Sequence, residues 1–239
     1  MHRTLSAVTL ADGTTADIVL IQAPDADYRD AVLTLLAHKS DPWQVHLRAA
    51  LDNGTDYLET RWYLAIMHGT PVANVMTVER NGVGILGHVY TMEQHRQKGL
   101  CRAVLTNVMT DFRQRSGKAL VLGTGYESVA YRIYEGFGFR SLKGGFMQYL
   151  AEPQDRFDAE WFAPADAIVQ TARWEHWPLV AMLGARDDGT GFRSAAWGLQ
   201  DIGNLEAAYC SFMAQVEEGE ATGTVAVSDS GAVVACATS

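Results

Sequence analysis

The fold is decided by the stretch Arg96-Gln97-Lys98-Gly99-Leu100-Cys101-Arg102, a basic turn that leads into a helix. Before this turn, residues 83–90 are apolar enough to form a buried strand, and after it apolar residues recur at helical spacing from Leu100 to Phe112. The start of such a helix offers unpaired backbone N–H groups and the positive end of the helix dipole. With its three basic side chains, the turn predicts a phosphate or pyrophosphate site, which Gly99 allows the backbone to approach closely.

The same turn resembles the acyl-CoA pyrophosphate loop of the GNAT acetyltransferase superfamily. The pattern of that family is Gln or Arg, two residues, Gly, one residue, then Gly or Ala. Arg96 and Gly99 match it, and Cys101 stands where the small residue usually is. Downstream, a short helix that ends in Tyr134-Glu135 before Gly138-Phe139 is similar to the second GNAT signature. The two signatures have the order and separation of the family.

Local sequence patterns predict the elements around this loop. Turn residues such as Asn81-Gly82 separate runs of strand formers, and Asn53-Gly54 is a typical helix end. The first predicted element, over 3–22, is a hairpin or a first strand with a preceding tail. It is followed by helices over 25–38 and 43–54, a hairpin over 60–78 and a strand up to 90. After the helix from 100 come a strand over 119–123, a short helix over 128–135 and final strands up to 150.

The resemblance covers about residues 15–150 and implies an α+β chain with the GNAT acyl-CoA N-acyltransferase fold. That fold is a mixed, mostly antiparallel sheet with flanking helices, splayed between its fourth and fifth strands. Parted strands leave unpaired backbone groups, which the amide-rich pantetheine arm of CoA can satisfy. We therefore expect a GNAT domain over residues 1–150 and a linker over 151–164.

Residues 165–239 are expected to form a partial second GNAT-like unit. The patterns predict a strand over 167–172, a helix from Trp174 to Leu183, a loop over Asp187–Gly191, a helix over 205–219 and a hairpin over 224–238. A helix followed by a hairpin repeats the order of residues 43–77, although such a pair is also common in unrelated α+β chains. The strand over 233–238 would then be an edge that pairs with the first domain's sheet or with another subunit.

Composition narrows the class of partner. The chain has 239 residues, a formal net charge of -9 and a pI near 5.2, which argues against nucleic-acid binding and fits a cationic partner such as an amine.

Its three cysteines have neither disulfide-framework nor zinc-site spacing, so we expect no metal. The first residues lack the apolar core of a signal peptide, and no apolar run reaches the ~18 residues of a membrane span. We expect a cytoplasmic protein that does not bind membranes.

Acetyl transfer to an amine needs a deprotonated amine, a polarised thioester carbonyl and a proton for the departing CoA thiolate. The resemblance implies that Tyr134 is the acid, since tyrosine has an ordinary pKa of about 10. Tyr131 is a competing candidate. For the base, His88 on the strand before the loop and Glu127 after the fifth strand are candidates, and a water relay without a dedicated base is the alternative. Other candidates for the base are Glu59, Glu79, Glu93 and His95.

The resemblance also implies the residues that contact acyl-CoA. They lie at the strand end, in the loop and on the short helix: Val89, Tyr90, Arg96, Gln97, Lys98, Gly99, Leu100, Cys101, Arg102 and Tyr131. Cys101 is either a small residue beneath the pyrophosphate or a thiol whose pKa the helix N-terminus lowers.

The resulting expectation is an acyltransferase that moves an acetyl group from acetyl-CoA directly to a primary amine of a small molecule. The alternatives are a peptide or protein amine as acceptor, or an acyl-CoA-binding or assembly module without turnover. Dimerisation of two identical chains through the C-terminal segment is a further alternative.

Overall fold

The computed structural model describes residues 1–186, 193–194, 199–200 and 202–239, so the loop predicted over Asp187–Gly191 lies outside the described residues. The chain forms two compact units. The first unit contains Met1–Thr55, Glu59–Val78 and Leu86–Ser116. The second contains Asp56–Leu58, Glu79–Ile85 and Gly117–Ser239.

The first unit combines strands with three helices. Its strands are neighbours in the sheet in the order β1 (His2–Thr9), β2 (Thr15–Gln22), β3 (Glu59–Met67), β4 (Thr70–Arg80) and β5 (Val83–Thr91). Strands β4 and β5 also contribute a few residues to the second unit. Its helices are α1 (Arg29–Leu35), α2 (Asp41–Asp52) and α3 (Leu100–Gln114). The β1–β2 pairing is antiparallel, as a hairpin over 3–22 requires, and β2 also pairs antiparallel with β3.

Helix α3 packs its apolar stripe into this unit and is fixed to strand β3 by a buried carboxylate. Tyr63 donates its hydroxyl to Asp111 Oδ2 at 2.7 Å, and Arg115 and Arg3 donate to the same side chain. Burial alone raises the pKa of Asp111, but the bonds from Arg115 and Tyr63 and the nearby positive charges lower it below its usual value. The C-terminal half of α3 is thereby held against β3 and β1.

The second unit contains the remainder of the mixed sheet. Its strand order is β5, β6 (Ala119–Gly123), β8 (Phe146–Leu150) and β7 (Arg140–Lys143), with helices α4 (Val129–Glu135) and α5 (Gln154–Trp161). Strand β6 pairs in parallel with the start of β5, Val83–Ile85, and antiparallel with β8. The predicted mixed, mostly antiparallel sheet with flanking helices is confirmed.

Helix α5 lies within the segment expected to be a linker. Phe157 and Trp161 are buried, and the Lys118 ammonium lies 5.1 Å from the centroid of the Trp161 ring. Burial of these two aromatic side chains explains why the polar, proline-marked segment is helical and docked.

The C-terminal residues form a three-stranded antiparallel sheet in the order β13 (Val233–Thr238), β12 (Gly223–Ser228), β9 (Ala167–Thr171). Between β9 and β12 lie α6 (Trp177–Gly184), the short pair β10 (Arg193–Ser194) and β11 (Leu199–Gln200), and α7 (Glu206–Glu217). The predicted strand, helices and hairpin are confirmed. Among the described helices, none is long and apolar enough to cross a membrane.

Candidate active site

The predicted anion-binding turn lies at the N-terminus of α3. Gly99 is the N-cap residue with φ +90°, and Gln97 is also left-handed with φ +61°. The first helical bond runs from the Ala103 N–H to the Gly99 carbonyl at 3.0 Å. The N–H groups before Ala103 therefore project from the helix end without an intrahelical acceptor, and Gly99 has no side chain that would cap them. This is the backbone arrangement expected of a phosphate site.

Arg96 is held at the entrance of the turn. Its Nε donates to the Thr91 carbonyl at 3.0 Å, and its Nη1 lies 3.5 Å from Glu93 Oε1. About half of its side chain is exposed. The guanidinium is thus positioned by its Nε while other N–H groups still face solvent, which suits an arginine that binds phosphate.

Lys98 is partly neutralised within the same unit. Its Nζ lies 3.0 Å from Asp12 Oδ2, and its carbonyl accepts the Ala11 N–H at 3.4 Å. Hydrogen bonds from Thr14 and Lys98 lower the pKa of Asp12 well below its usual value. Because Asp12 stays charged, Lys98 contributes more to holding the loop than to attracting an anion, whereas Arg102 is exposed.

Cys101 and Leu100 occupy the first turn of α3 with different roles. Leu100 is buried in the core, so only its backbone is placed for a ligand. Burial raises the pKa of the Cys101 thiol, and the charge of Arg102 offsets this in part. The alternative of a thiol with a lowered pKa was therefore wrong, because desolvation outweighs the effect of the Arg102 charge. Cys101 is a protonated small residue at neutral pH.

His88 lies near the end of β5 in a left-handed conformation, with φ +49°. Its carbonyl accepts a hydrogen bond from Asn74 Nδ2 at 2.9 Å, and its ring meets the Trp43 ring edge-on with centroids 5.1 Å apart. The residue is 7% exposed. Within the described part of the chain, its Nε2 has no hydrogen-bond partner. A buried nitrogen in this state can accept a hydrogen bond from a bound molecule.

The imidazole of His88 is neutral. Burial lowers its pKa well below 6.5, and the charges of His46, Lys39 and His38 lower it further. His46 is wholly buried, which lowers its pKa to about 3. A protonated imidazole in this group would lack solvation, so His88 is uncharged at physiological pH.

Val89 and Tyr90 follow His88 and are partly exposed. The Tyr90 ring lies 4.3 Å from the His38 ring. Their backbone groups stand at the strand end that precedes the turn, as the resemblance implied.

Sequence reasoning missed the aromatic and histidine side chains that surround His88. The signal was present in α2, where His46 shares a helix face with Leu47 and Ala50, all fully buried. A polar residue on an apolar helix face marks a buried site.

The predicted acid and its competitor lie on α4, in the second unit. Ser128 caps this helix by accepting the Tyr131 N–H at 3.1 Å. Both Tyr131 and Tyr134 are buried, and the Tyr134 ring lies 6.0 Å from Phe139. The short helix that ends in Tyr134-Glu135 is therefore where the second signature predicts it.

Glu127 precedes α4 with φ +56° and has a largely exposed carboxylate 3.6 Å from Arg132. Glu93 and Glu59 likewise lie beside Arg96 and Arg61. Each of these three carboxylates is paired with an arginine. The Nε2 of His88, by contrast, is buried and has no hydrogen-bond partner among the described residues.

Residues 63–146 match the family model described as "FR47-like protein". This range begins in β3 and includes both the turn at Arg96 and helix α4. The FR47-like segment is GNAT-related. The match covers 84 of the 239 residues.

Solved GNAT structures resemble the chain more distantly. The GNAT domain of S. lividans PAT is 14% identical and has a TM-score of 0.44, covering 60% of this chain and 93% of its own. The ribosomal-protein-S18-alanine N-acetyltransferase from Escherichia coli is 16% identical with a TM-score of 0.44, covering 56% and 95% respectively. PaiA N-acetyltransferase from Thermoplasma acidophilum, in complex with coenzyme A, is 11% identical with a TM-score of 0.40, covering 55% and 98%. No curated protein matches the sequence.

Each of these TM-scores is below 0.5. The interpretation of the site therefore rests on the FR47-like match and on the geometry of the turn.

Proposed function

We propose that the protein is an N-acetyltransferase that moves an acetyl group from acetyl-CoA directly to a primary amine of a small molecule. The observation that carries the proposal is the N-terminus of α3, with Gly99 left-handed at the N-cap, inside the FR47-like segment. The N–H groups of Leu100 and Cys101, together with the charges of Arg96 and Arg102, bind the CoA pyrophosphate.

In the proposed reaction, the free amine attacks the thioester carbonyl carbon. The C–N bond forms, the C–S bond breaks and the electron pair of that bond leaves with the CoA sulfur. Tyr134 gives the thiolate its proton and is reprotonated from solvent. The proton lost by the amine nitrogen passes to water, or to Glu127 as the alternative base.

His88 is proposed to orient the amine. Its buried Nε2 accepts an N–H of the acceptor, and its lowered pKa keeps the ring in the accepting, neutral form. The His88 ring is buried and packs edge-on against Trp43, and the Tyr90 ring contacts His38. This enclosure supports a small acceptor, and the net charge of -9 favours the approach of a cationic one.

The activity is tested by following thiol release from acetyl-CoA over a panel of small amines and short peptides. Turnover on small amines supports the proposal. Turnover confined to peptides would shift the acceptor class, and CoA binding without turnover on any amine would favour a binding module.

Arg96→Ala is expected to weaken CoA binding about tenfold, because a charge-assisted hydrogen bond to phosphate contributes ~1.5 kcal/mol or more. Calorimetric titration of CoA measures this. The matched control is Arg156→Ala, since Arg156 is an exposed arginine that also pairs with glutamates, Glu152 and Glu160. Equal CoA affinity in both variants would reject the assignment of Arg96.

Tyr134→Phe is expected to lower kcat about a hundredfold while CoA affinity stays near that of the natural protein, because general acid catalysis supplies ~10² or more in rate. Tyr131→Phe, on the same helix, is the control and should keep most of the turnover. A larger loss in Tyr131→Phe than in Tyr134→Phe would exchange the two roles.

A further inference from the structure

Strand β9 is exposed along its whole length. Every residue of Ala167–Thr171 is exposed to solvent. Ile168 is 71% exposed and Val169 is 70% exposed, although both are large aliphatic residues in the middle of a strand. Isolated apolar residues are normal on protein surfaces, but two in succession on a sheet edge are characteristic of an interaction surface.

One edge of β9 is already hydrogen-bonded to β12. Among the strands that the structure describes, the sheet order β13-β12-β9 makes β9 the last, and its register pairs Val169 with Ala226 and Gln170 with Val225. The Ala172 N–H donates to the Gly223 carbonyl at 2.9 Å, which fixes the alternation of the hydrogen bonds. Antiparallel pairing directs alternate residues to opposite edges. Because Ala172 faces β12, the N–H and C=O groups of Val169 point to the outer edge.

The outer edge of β9 lacks the usual protection against pairing. Native edge strands carry a proline, a lysine or a bulge that blocks a further strand. The sequence Ala167-Ile168-Val169-Gln170-Thr171 contains neither a proline nor a charge. Its register with β12 is continuous over all five residues. A regular, uncharged edge is the kind of surface that accepts another strand.

We propose that β9 pairs antiparallel with β9 of a second copy of this chain, with the two Val169 residues facing each other across a two-fold axis. This axis agrees with the alternation of the backbone hydrogen-bonding groups along β9. Ala167, whose N–H and C=O groups also point to the outer edge, then lies opposite the partner's Thr171. Asp166 precedes the strand and Arg173 follows it, so antiparallel pairing brings the acidic start of one strand beside the basic end of the other. A parallel arrangement would bring like charges together. An isologous contact of this kind closes after two copies.

The proposal is independent of the proposed activity and is tested by the mass in solution. Light scattering over a concentration series should give twice the 26.2 kDa of one chain. Val169→Lys should return the mass to one chain, because two lysines would then face each other. The matched control is Val129→Lys, at a valine that is 81% exposed at the start of α4, which should leave the dimer intact.

A charge-exchange experiment tests the register itself. Val169→Lys and Val169→Glu should each be monomeric, and an equimolar mixture of the two should regain the dimer mass. Circular dichroism and the melting temperature check that each variant is folded. A single-chain mass for the natural protein at all concentrations, or a Val169→Lys variant that still dimerises, would overturn the proposal. Pairing with a different protein in place of a second copy would leave the natural protein monomeric and so would also contradict it.

Discussion

Gly99→Glu is expected to weaken CoA binding at least a hundredfold. Gly99 has φ +90°, a region in which any side chain costs about 1–2 kcal/mol. A Cβ at this position would meet no neighbouring atom within 4 Å, so the new side chain would occupy open space at the N-cap of α3. Its carboxylate would repel the pyrophosphate. The backbone strain lowers the stability of the free and the bound protein alike, whereas a charge repulsion of about 3 kcal/mol corresponds to roughly a hundredfold in Kd, which titration calorimetry measures.

Gly219→Glu provides the matched control for this effect. Gly219 follows α7, has φ +77° and also has open space around its Cα. Both variants should lose similar stability, but only Gly99→Glu should lose CoA affinity. Gly99→Ala separates backbone strain from charge and should have a smaller effect than Gly99→Glu. An affinity within about threefold of the natural protein for Gly99→Glu would show that the turn does not hold CoA.

The turn and its neighbouring elements were predictable because they depend on short-range chemistry. The apolar period after Leu100 and the Asn81-Gly82 turn each act within a few residues, and the structure confirms both of them. The first predicted helix began too early, at residue 25. Asp25 Oδ1 instead accepts the N–H groups of Asp27 and Tyr28, so the chain turns before α1 begins at Arg29.

The remaining features depend on contacts between residues far apart in the sequence. Pairing of β9 with β12 joins residues 167–171 to residues 224–228, and neither strand alone indicates its partner. The neutrality of His88 likewise comes from burial beneath Trp43 and beside His46. Desolvation of Cys101 has the same origin and reverses the effect expected from the helix dipole alone. Local sequence patterns do not show which residues from distant segments come into contact.

The protein is expected to lose stability steeply as the pH falls from about 6.5, and His46 is a main cause. The His46 ring is wholly buried, which lowers its pKa in the folded chain to about 3 from 6.5. Between these values the unfolded chain binds a proton at His46 that the folded chain does not bind, so acid favours unfolding. The contribution of His46 is fully present above pH 6.5 and falls by about 1.4 kcal/mol per pH unit below it. From pH 6.5 to pH 5 this amounts to about 2 kcal/mol, and His88 and His176 act in the same direction because burial lowers their pKa values too.

Urea unfolding between pH 7.5 and pH 4.5 measures this slope, and His46→Leu isolates the contribution of His46. At pH 7.5 the variant loses the contact of Nε2 with Thr60 Oγ1 at 3.5 Å, so its stability there should be somewhat lower. The free energy of unfolding of the variant should nevertheless fall less steeply with decreasing pH, by the slope that one proton contributes. The curves of stability against pH for the variant and the natural protein should therefore converge as the pH falls. The control is His68→Gln, which replaces an exposed histidine at the turn between β3 and β4. Equal slopes for His46→Leu and the natural protein would show that His46 is hydrated in the folded chain, and the neutral histidine group around His88 would then lose its physical basis.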